Sequence, residues 1–276
     1  MKNADAVVAA STSHANALAF WKRLGLFHAP LAGIHCGHVN FQVTGARRKA
    51  TTRALHAQEI VLFADAEQEE TIRQFDVEPR RIHVGSFGVD ADFWTPAAAE
   101  HEFILAVGND GRRDYSTFVS AVTGVDARVK ILTARELPSP LPANIEHLRG
   151  SWHAPAVTDE ELRGLYRRAL VVVVPLEDSI QPSGQSVALQ AMACGRPVIL
   201  TRTRGLWTGD HFRDGRDLLL VEPGSADGLR RAIKRMLDDA TLREKIGVSA
   251  REVVLQHGRI QGFAECLNAL LENFKR

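Results

Sequence analysis

Cysteine is scarce in this 276-residue chain: Cys36, Cys194 and Cys266 stand far apart and never in Cys-x-x-Cys spacing. An odd, scattered set argues against a disulfide framework or a thiolate zinc site. All three read as small apolar filler in a reducing compartment. Charge of one sign is lacking too. The chain has 34 Lys and Arg against 33 Asp and Glu, a net charge of +1. No global field draws it to nucleic acid, so any anion site has to be local. Long hydrophobic runs are missing as well. The longest, Ala169–Leu176 (ALVVVVPL), falls far short of the ~20 residues needed to cross a bilayer. The apolar run in MKNADAVVAAS is too short for a signal peptide. No internal repeat or low-complexity tract occurs. The expectation is a cytoplasmic protein with no nucleic-acid partner, with peripheral membrane contact left open.

What is present is an alternation. With 45% hydrophobic residues the chain can bury proper cores, and its length suits two ordinary domains. Short β-branched runs at 6–11, 31–36, 60–65, 81–86, 103–108, 128–133, 146–150, 170–175, 197–201 and 217–222 read as strands. Most are separated by apolar residues at helical spacing, as in Asp159–Arg168 and Ser225–Leu237. Continuous apolar strands between helices predict an α/β fold with parallel sheets covered on both faces. Gly, Asp and Pro cluster between Gly88 and Glu102, which marks a boundary. The expected division is 1–95, 96–257 and a last helix over 258–276. Parallel sheets bind ligands beyond the carboxyl ends of their strands, here just after Val84, Gly108, Pro175 and Thr201.

One segment, PSGQSVALQAMACGRPVILT (Pro182–Thr201), runs from a small glycine-containing turn into an apolar helix. A helix start has four N–H groups without intrahelical partners, and its dipole is positive. Glycine there lets a ligand approach the backbone. Ser183, Gly184, Gln185 and Ser186 can therefore cradle a phosphate, with Ser183 or Ser186 adding a hydroxyl. An ordinary serine N-cap explains the same letters. Gly195 ends the helix and Pro197 opens the next strand.

Four segments in order now resemble one family. ALQAMACGRPVILT is similar to the LLEAMACGxPVVAT segment of retaining GT-B glycosyltransferases of family four, which includes sucrose synthases and mannosyltransferases. RIHVGSFGVDADFWTP (81–96), FILAVGNDGRRDYSTFVSAV (103–122) and FRDGRDLLLVEPGSADGLRRAIKRMLDD (212–239) resemble that family's linker, first donor-domain strand and late donor-domain segments. Ordered motifs over residues 60–272 are far more specific than any one of them. The resemblance implies two facing Rossmann-like domains with a nucleotide-sugar donor in the C-terminal one. It implies a mostly N-terminal acceptor site and a final helix that crosses back to the first domain.

The resemblance also implies roles. The family clamps the donor diphosphate with an Arg and a Lys. Asn109 stands at the Arg position, and Arg113, with Arg112 beside it, at the Lys position. Either arginine can stabilise a leaving diphosphate. Asp114 would cap the following helix. The family's ribose-binding Glu is here Gln190, whose amide can accept from one hydroxyl and donate to another; the alternative is that it faces solvent at the site mouth. The family's other Glu falls on Pro182, with Glu177 and Asp178 nearby. Arg149 and Trp152 are candidates beside the base. His35, rather than His38, matches a family histidine near the transferred sugar, and His14 begins a helix that can face the same cleft. The implied chemistry retains configuration and needs no metal or other cofactor; the nucleotide sugar is a substrate. No Asp-x-Asp stands in a convincing strand-end loop, and DDATLR (238–243) reads as a connector.

The family's N-terminal domain opens with strands and a glycine-rich loop that have no counterpart here, and DAVVAAS matches one of its middle strands. A fragment, a naturally reduced enzyme, or a partner chain or self-association that completes the domain would each account for this. Three functions are weighed: a glycosyltransferase, a non-catalytic or partner-dependent nucleotide-sugar-binding subunit, and a GT-B sugar-nucleotide epimerase, which the motifs favour least. The acceptor, whether sugar, lipid or small molecule, is not specified. Basic clusters at Arg47–Arg53 and Arg230–Arg235 read as solvated helix faces, with a membrane or a lipid-linked acceptor as the other option.

Overall fold

A computed structural model describes residues 4–40, 43–150, 157–207, 209 and 211–274. The ten strands expected from the sequence are all present, each within a few residues of its expected place. They form two parallel sheets.

The first sheet is built from β1 (Val7–Ala9), β2 (Leu31–Ile34), β3 (Glu59–Leu62) and β4 (Ile82–Val84), in that spatial order. Helices α1 (Thr12–Arg23), α2 (Gly45–Leu55) and α3 (Asp65–Phe75) join successive strands. Strand residues alternate between faces. Ile60 and Leu62 therefore pack with Leu55 of α2 and Phe75 of α3, while Val61 between them packs with Leu270. Leu270 belongs to the last helix, α9 (Ile260–Asn273), which covers the opposite face of this sheet. β1 is an edge strand whose outer side pairs with no described residue.

The second sheet comprises β5 (Phe103–Val107), β6 (Arg128–Leu132), β7 (Ile145–Leu148), β8 (Ala169–Val174), β9 (Val198–Thr201) and β10 (Leu219–Val221). Its spatial order is β10-β9-β8-β5-β6-β7. The order reverses between β5 and β8, where Leu105 pairs with Val172. That reversal leaves a crevice at the carboxyl ends of the two strands. Val171 to Val174 are all fully buried. Val172 and Val174 face α5 (Asp159–Arg168), α6 (Gln185–Ala193) and α8 (Ala240–His257), while Val171 and Val173 face α4 (Tyr115–Val122) and α7 (Ala226–Asp238). Full burial of one valine is worth roughly 1.5 kcal/mol or more, so a sheet covered on both faces keeps its crevice rigid.

The two crossings between the halves are tied together. Val89 in the linker accepts from Ile260 N–H (3.0 Å) and donates to Gly258 C=O (2.9 Å). A Cβ on Gly88 would lie 2.4 Å from the Arg259 carbonyl oxygen. Across the cleft, Asn40 Nδ2 donates to Gln181 Oε1 (3.3 Å) and Cys36 Sγ lies 3.6 Å from Pro182 O. The first sheet's β2 turn thus touches the segment that leads into α6.

Candidate nucleotide-binding site

The crevice after β5 and β8 holds a cavity of about 540 Å³, walled by the ends of β5 and β6 and by the first turns of α5 and α6. That volume lies within the range of small-ligand sites, roughly 300 to 1,000 Å³. Its floor is Arg113. The side chain is 3% exposed, and Nε lies 2.8 Å from Asp110 Oδ2. The contact is close but poorly directed, so Nε and Nη1 both lack a directed hydrogen bond. Two glycines make room for this guanidinium. A Cβ on Gly108 (φ +144°) would lie 2.2 Å from Arg113 Nε; one on Gly184 (φ +76°) would lie 2.4 Å from Val174 Cγ1 and 3.3 Å from Arg113 Nη1. Both backbones are in the region that glycine adopts most easily.

Gly184 is also the N-cap of α6, so Arg113 points at the positive end of that helix. The Ser183 hydroxyl and Gln185 Nε2, expected to face a ligand, are buried beside that helix start without a partner, and neither residue lines the cavity. The Ser183 carbonyl is taken by Trp207 Nε1 (3.0 Å), and Ser186 lines the cavity wall. Unpartnered buried polar atoms cost about 1–3 kcal/mol each. The buried cation, the helix start and the Ser186 hydroxyl on the wall together favour an anionic oxygen-rich ligand.

Further residues expected at the site divide into wall and scaffold. Asn109 lines the cavity, but its Oδ1 accepts from Ala134 N–H (2.6 Å) and Thr133 Oγ1 (3.1 Å), so it also staples β5 to β6. Gln190 faces the cavity, not open solvent. Its Oε1 accepts from the fully buried Tyr166 hydroxyl (3.1 Å), which leaves the NH₂ group as its donor end. Burial raises the Tyr166 phenol above its ordinary pKa, so it remains a donor at neutral pH. Asp114 caps α4 through Thr117 N–H (2.9 Å), as expected.

Three expected groups are placed elsewhere. Arg112 turns to the loop beyond β8, 3.8 Å from Glu177 Oε2, so of the two adjacent arginines it is Arg113 that enters the crevice. Arg149 is largely exposed and pairs with Glu136 (2.7 Å) at the rim. Trp152 lies outside the described residues. His35, expected in the cleft, is fully enclosed between β2 and α1. Its Nε2 is 3.2 Å from Gln58 Oε1, and burial brings its pKa down to about 4. Strand alternation explains the inward turn: His35 continues β2 one residue past the cleft-facing Ile34.

On the first sheet's side of the cleft lies a second cavity of about 710 Å³. His38, not His35, reaches its wall, with Ser11, Asn16 and Arg47 at its polar side. Its apolar side is Phe63, Phe87 and Phe263, with ring centroids 5.6 Å (Phe63–Phe87) and 5.5 Å (Phe63–Phe263) apart. His14 stays exposed and bonds Ser11 (2.8 Å) in the first turn of α1. Tyr166, Asp110 and the Phe63 cluster escaped the sequence reading: a lone Tyr in ELRGLYRRAL reads as core, and the three phenylalanines come from distant segments.

Comparison with known proteins agrees with this geometry. The sequence signature of the family described as Glycosyl transferases group 1 matches residues 102–239. D-inositol 3-phosphate glycosyltransferase of Salinispora arenicola is 28% identical over an alignment covering 79% of this chain and 58% of that protein. The MMP alpha-(1->4)-mannosyltransferase of Mycolicibacterium hassiacum is 26% identical, covering 70% and 48%. The chain thus spans under three fifths of the length of these curated relatives. Among solved structures, Anabaena HepE in complex with UDP superposes with a TM-score of 0.77 at 13% identity, over 96% of this chain and 79% of that one. Sucrose-phosphate synthase from Thermosynechococcus elongatus gives 0.72 at 20% identity, over 92% and 70%. These likenesses establish the two-sheet GT-B architecture. With its signature over half its length, the chain belongs to the glycosyl transferases group 1 family.

Proposed function

We propose that the chain is a glycosyltransferase that takes a sugar from a nucleotide-sugar donor, with retention of configuration and without metal. The observation that carries this reading is the buried Arg113 guanidinium, held between Gly108 and Gly184 with two nitrogens unsatisfied at the start of α6. As a glycosidic bond to the diphosphate breaks, negative charge grows on the leaving oxygen. A fixed guanidinium and the α6 amides lower the energy of that charge with no reorganisation. They do the work a divalent cation does elsewhere. The Gln190 NH₂ holds the ribose side of the nucleotide, and the Ser186 hydroxyl adds to the phosphate cradle. The acceptor, a sugar, lipid or small molecule, enters from the Phe63 side on the face of the leaving group, where a donor phosphate oxygen receives its proton.

A second reading, donor binding without turnover until another chain completes the first sheet, is favoured by one feature, the outer side of β1, which pairs with no described residue. Calorimetric titration with UDP, GDP and ADP, with and without magnesium, followed by a donor-turnover assay, separates the two. Magnesium-insensitive binding with turnover supports the transferase, and binding without turnover supports the second reading. Absence of binding to all three refutes both.

A further inference from the structure

The sequence carries an asymmetry that the donor site does not use. From Ala6 to Gln58 there is no Asp or Glu, while Lys22, Arg23, Arg47, Arg48, Lys49 and Arg53 all fall in this span. The rest of the chain is correspondingly acidic, with 28 cations against 33 carboxylates once those six are taken from the 34. Helices α1 and α2 bring the six together. They lie side by side on one face of the first sheet, with Ala15 and Ala19 of α1 in one buried cluster with Ala54 of α2. Small residues at that seam let the helices approach closely. Neither helix carries an acidic residue, and all the cations but Lys22 are exposed.

The same face exposes large apolar side chains. Phe20 is 57% exposed, Trp21 48%, Leu24 58% and Leu26 74%. Isolated exposed apolar residues are ordinary; four within one helix end and its following turn are a patch. The turn is anchored from beneath. Lys22 Nζ donates to Ala29 C=O (2.8 Å), and Phe27 is buried under it. Two carboxylates near the face are engaged elsewhere, Glu59 by His83 (3.0 Å) and Glu70 by Arg73.

We propose that the outer face of α1 and α2 docks on an anionic lipid surface. Phe20, Trp21, Leu24 and Leu26 enter the headgroup boundary, and Arg23, Arg48, Lys49 and Arg53 lie over anionic headgroups. An aromatic and leucine patch ringed by arginine and lysine suits that boundary on both counts. A second copy fits poorly, because a symmetric contact through this face would set cations against cations. A polynucleotide matches the charge but gives Leu24 and Leu26 nothing to bury against.

The test is co-sedimentation of the full chain with vesicles. Mixed phosphatidylglycerol and phosphatidylcholine vesicles should carry it down, and pure phosphatidylcholine vesicles should not. Salt at about 1 M, where the Debye length is about 3 Å, should release most of it. Each exposed cation contributes about a five-fold change in partition. The triple variant Arg48→Gln, Lys49→Gln, Arg53→Gln should therefore bind roughly 100-fold more weakly. The pair Phe20→Ser, Leu24→Ser should weaken binding by about the same factor. Both variants alter exposed residues outside the two cavities, so unchanged thermal unfolding and unchanged nucleotide binding verify their fold. The proposal is overturned by no sedimentation with anionic vesicles, by equal binding to neutral ones, or by variants that bind like the parent. It is equally overturned by duplex DNA binding without vesicle binding, or by a dimer that Phe20→Ser, Leu24→Ser dissociates.

Discussion

Removing the Arg113 guanidinium should separate phosphate recognition from everything else the donor site does. In the free protein Nη1 makes no hydrogen bond and Nε has only a poorly directed approach to Asp110. Binding a diphosphate therefore gains two charge-assisted bonds and breaks no good one. Such bonds are worth roughly 1.5–3 kcal/mol each. Allowing for the helix start and Ser186, which remain, Arg113→Ala should weaken diphosphate binding by about 2–4 kcal/mol, roughly 30- to 1,000-fold. Arg113→Lys keeps a charge but loses the planar fork, so its loss should be intermediate. Fold stability should hardly change. Asp110 is about one-third exposed (34%) and can regain water, and the buried nitrogens that lacked partners are gone. The assay is calorimetric titration of parent and variant with the best-bound nucleoside diphosphate and with its parent nucleoside. Arg113→Ala should cost most of the diphosphate's advantage and leave the nucleoside's affinity alone. Equal losses for both ligands, or none for either, would refute the placement of the phosphates on Arg113.

Other perturbations test neighbouring parts of the argument. Gly184→Ala puts a Cβ 2.4 Å from Val174 Cγ1 at a φ of +76°. It should cost about 1–2 kcal/mol of stability from the left-handed backbone alone and abolish tight diphosphate binding, as read by thermal unfolding and titration. Tyr166→Phe frees the Gln190 carbonyl oxygen. It should lower stability by about 1 kcal/mol and change nucleoside affinity more than the increment due to phosphates, the reverse of Arg113→Ala. Burial sets opposing pH dependences in the first sheet. His35 and His38 are lowered to about 4 and about 3, so the unfolded chain gains protons that the folded one refuses, and their contribution to stability is lost as pH falls from about 6.5 toward 4. Glu67, fully enclosed beneath Gly37 and raised by burial to about 7, favours its protonated form, so its contribution falls as pH rises from about 4.5 to 7. Glu67→Gln keeps an acceptor for Gly37 N–H. It should open a stability gap over the parent that widens between pH 5 and 8 to at most about 3 kcal/mol; parallel unfolding curves across that range would contradict it.

The architecture was legible because it rests on patterns that act locally. Runs such as LVVVVP cannot be solvated as helices or loops, and the glycine and proline punctuation around them fixes where strands stop. The site was half legible for the same reason. Arg113, Gly184 and Ser186 lie in the segments that follow the carboxyl ends of β5 and β8, where a parallel sheet directs its ligands. Arg112 and Arg113 could not be told apart from letters alone. Their separation depends on the antiparallel bridge between Arg113 and Leu176, which turns one side chain inward and the other out toward Glu177.

His35 shows where pattern reading stops. The histidine is at the expected strand end, and one residue's difference in where the strand turns decides between cleft and core. Here the pleat carries Ile34 to the cleft cavity and buries His35 against Gln58, and the chain returns to the cavity only at Cys36 and His38. His38 is held there by Thr71 (2.9 Å) and packs edge-on against His35 at 5.1 Å. Burial, and after it the neighbouring His35, keep the His38 imidazole neutral. His38 itself is only 5% exposed and lines the cavity beside Phe63 and Phe87.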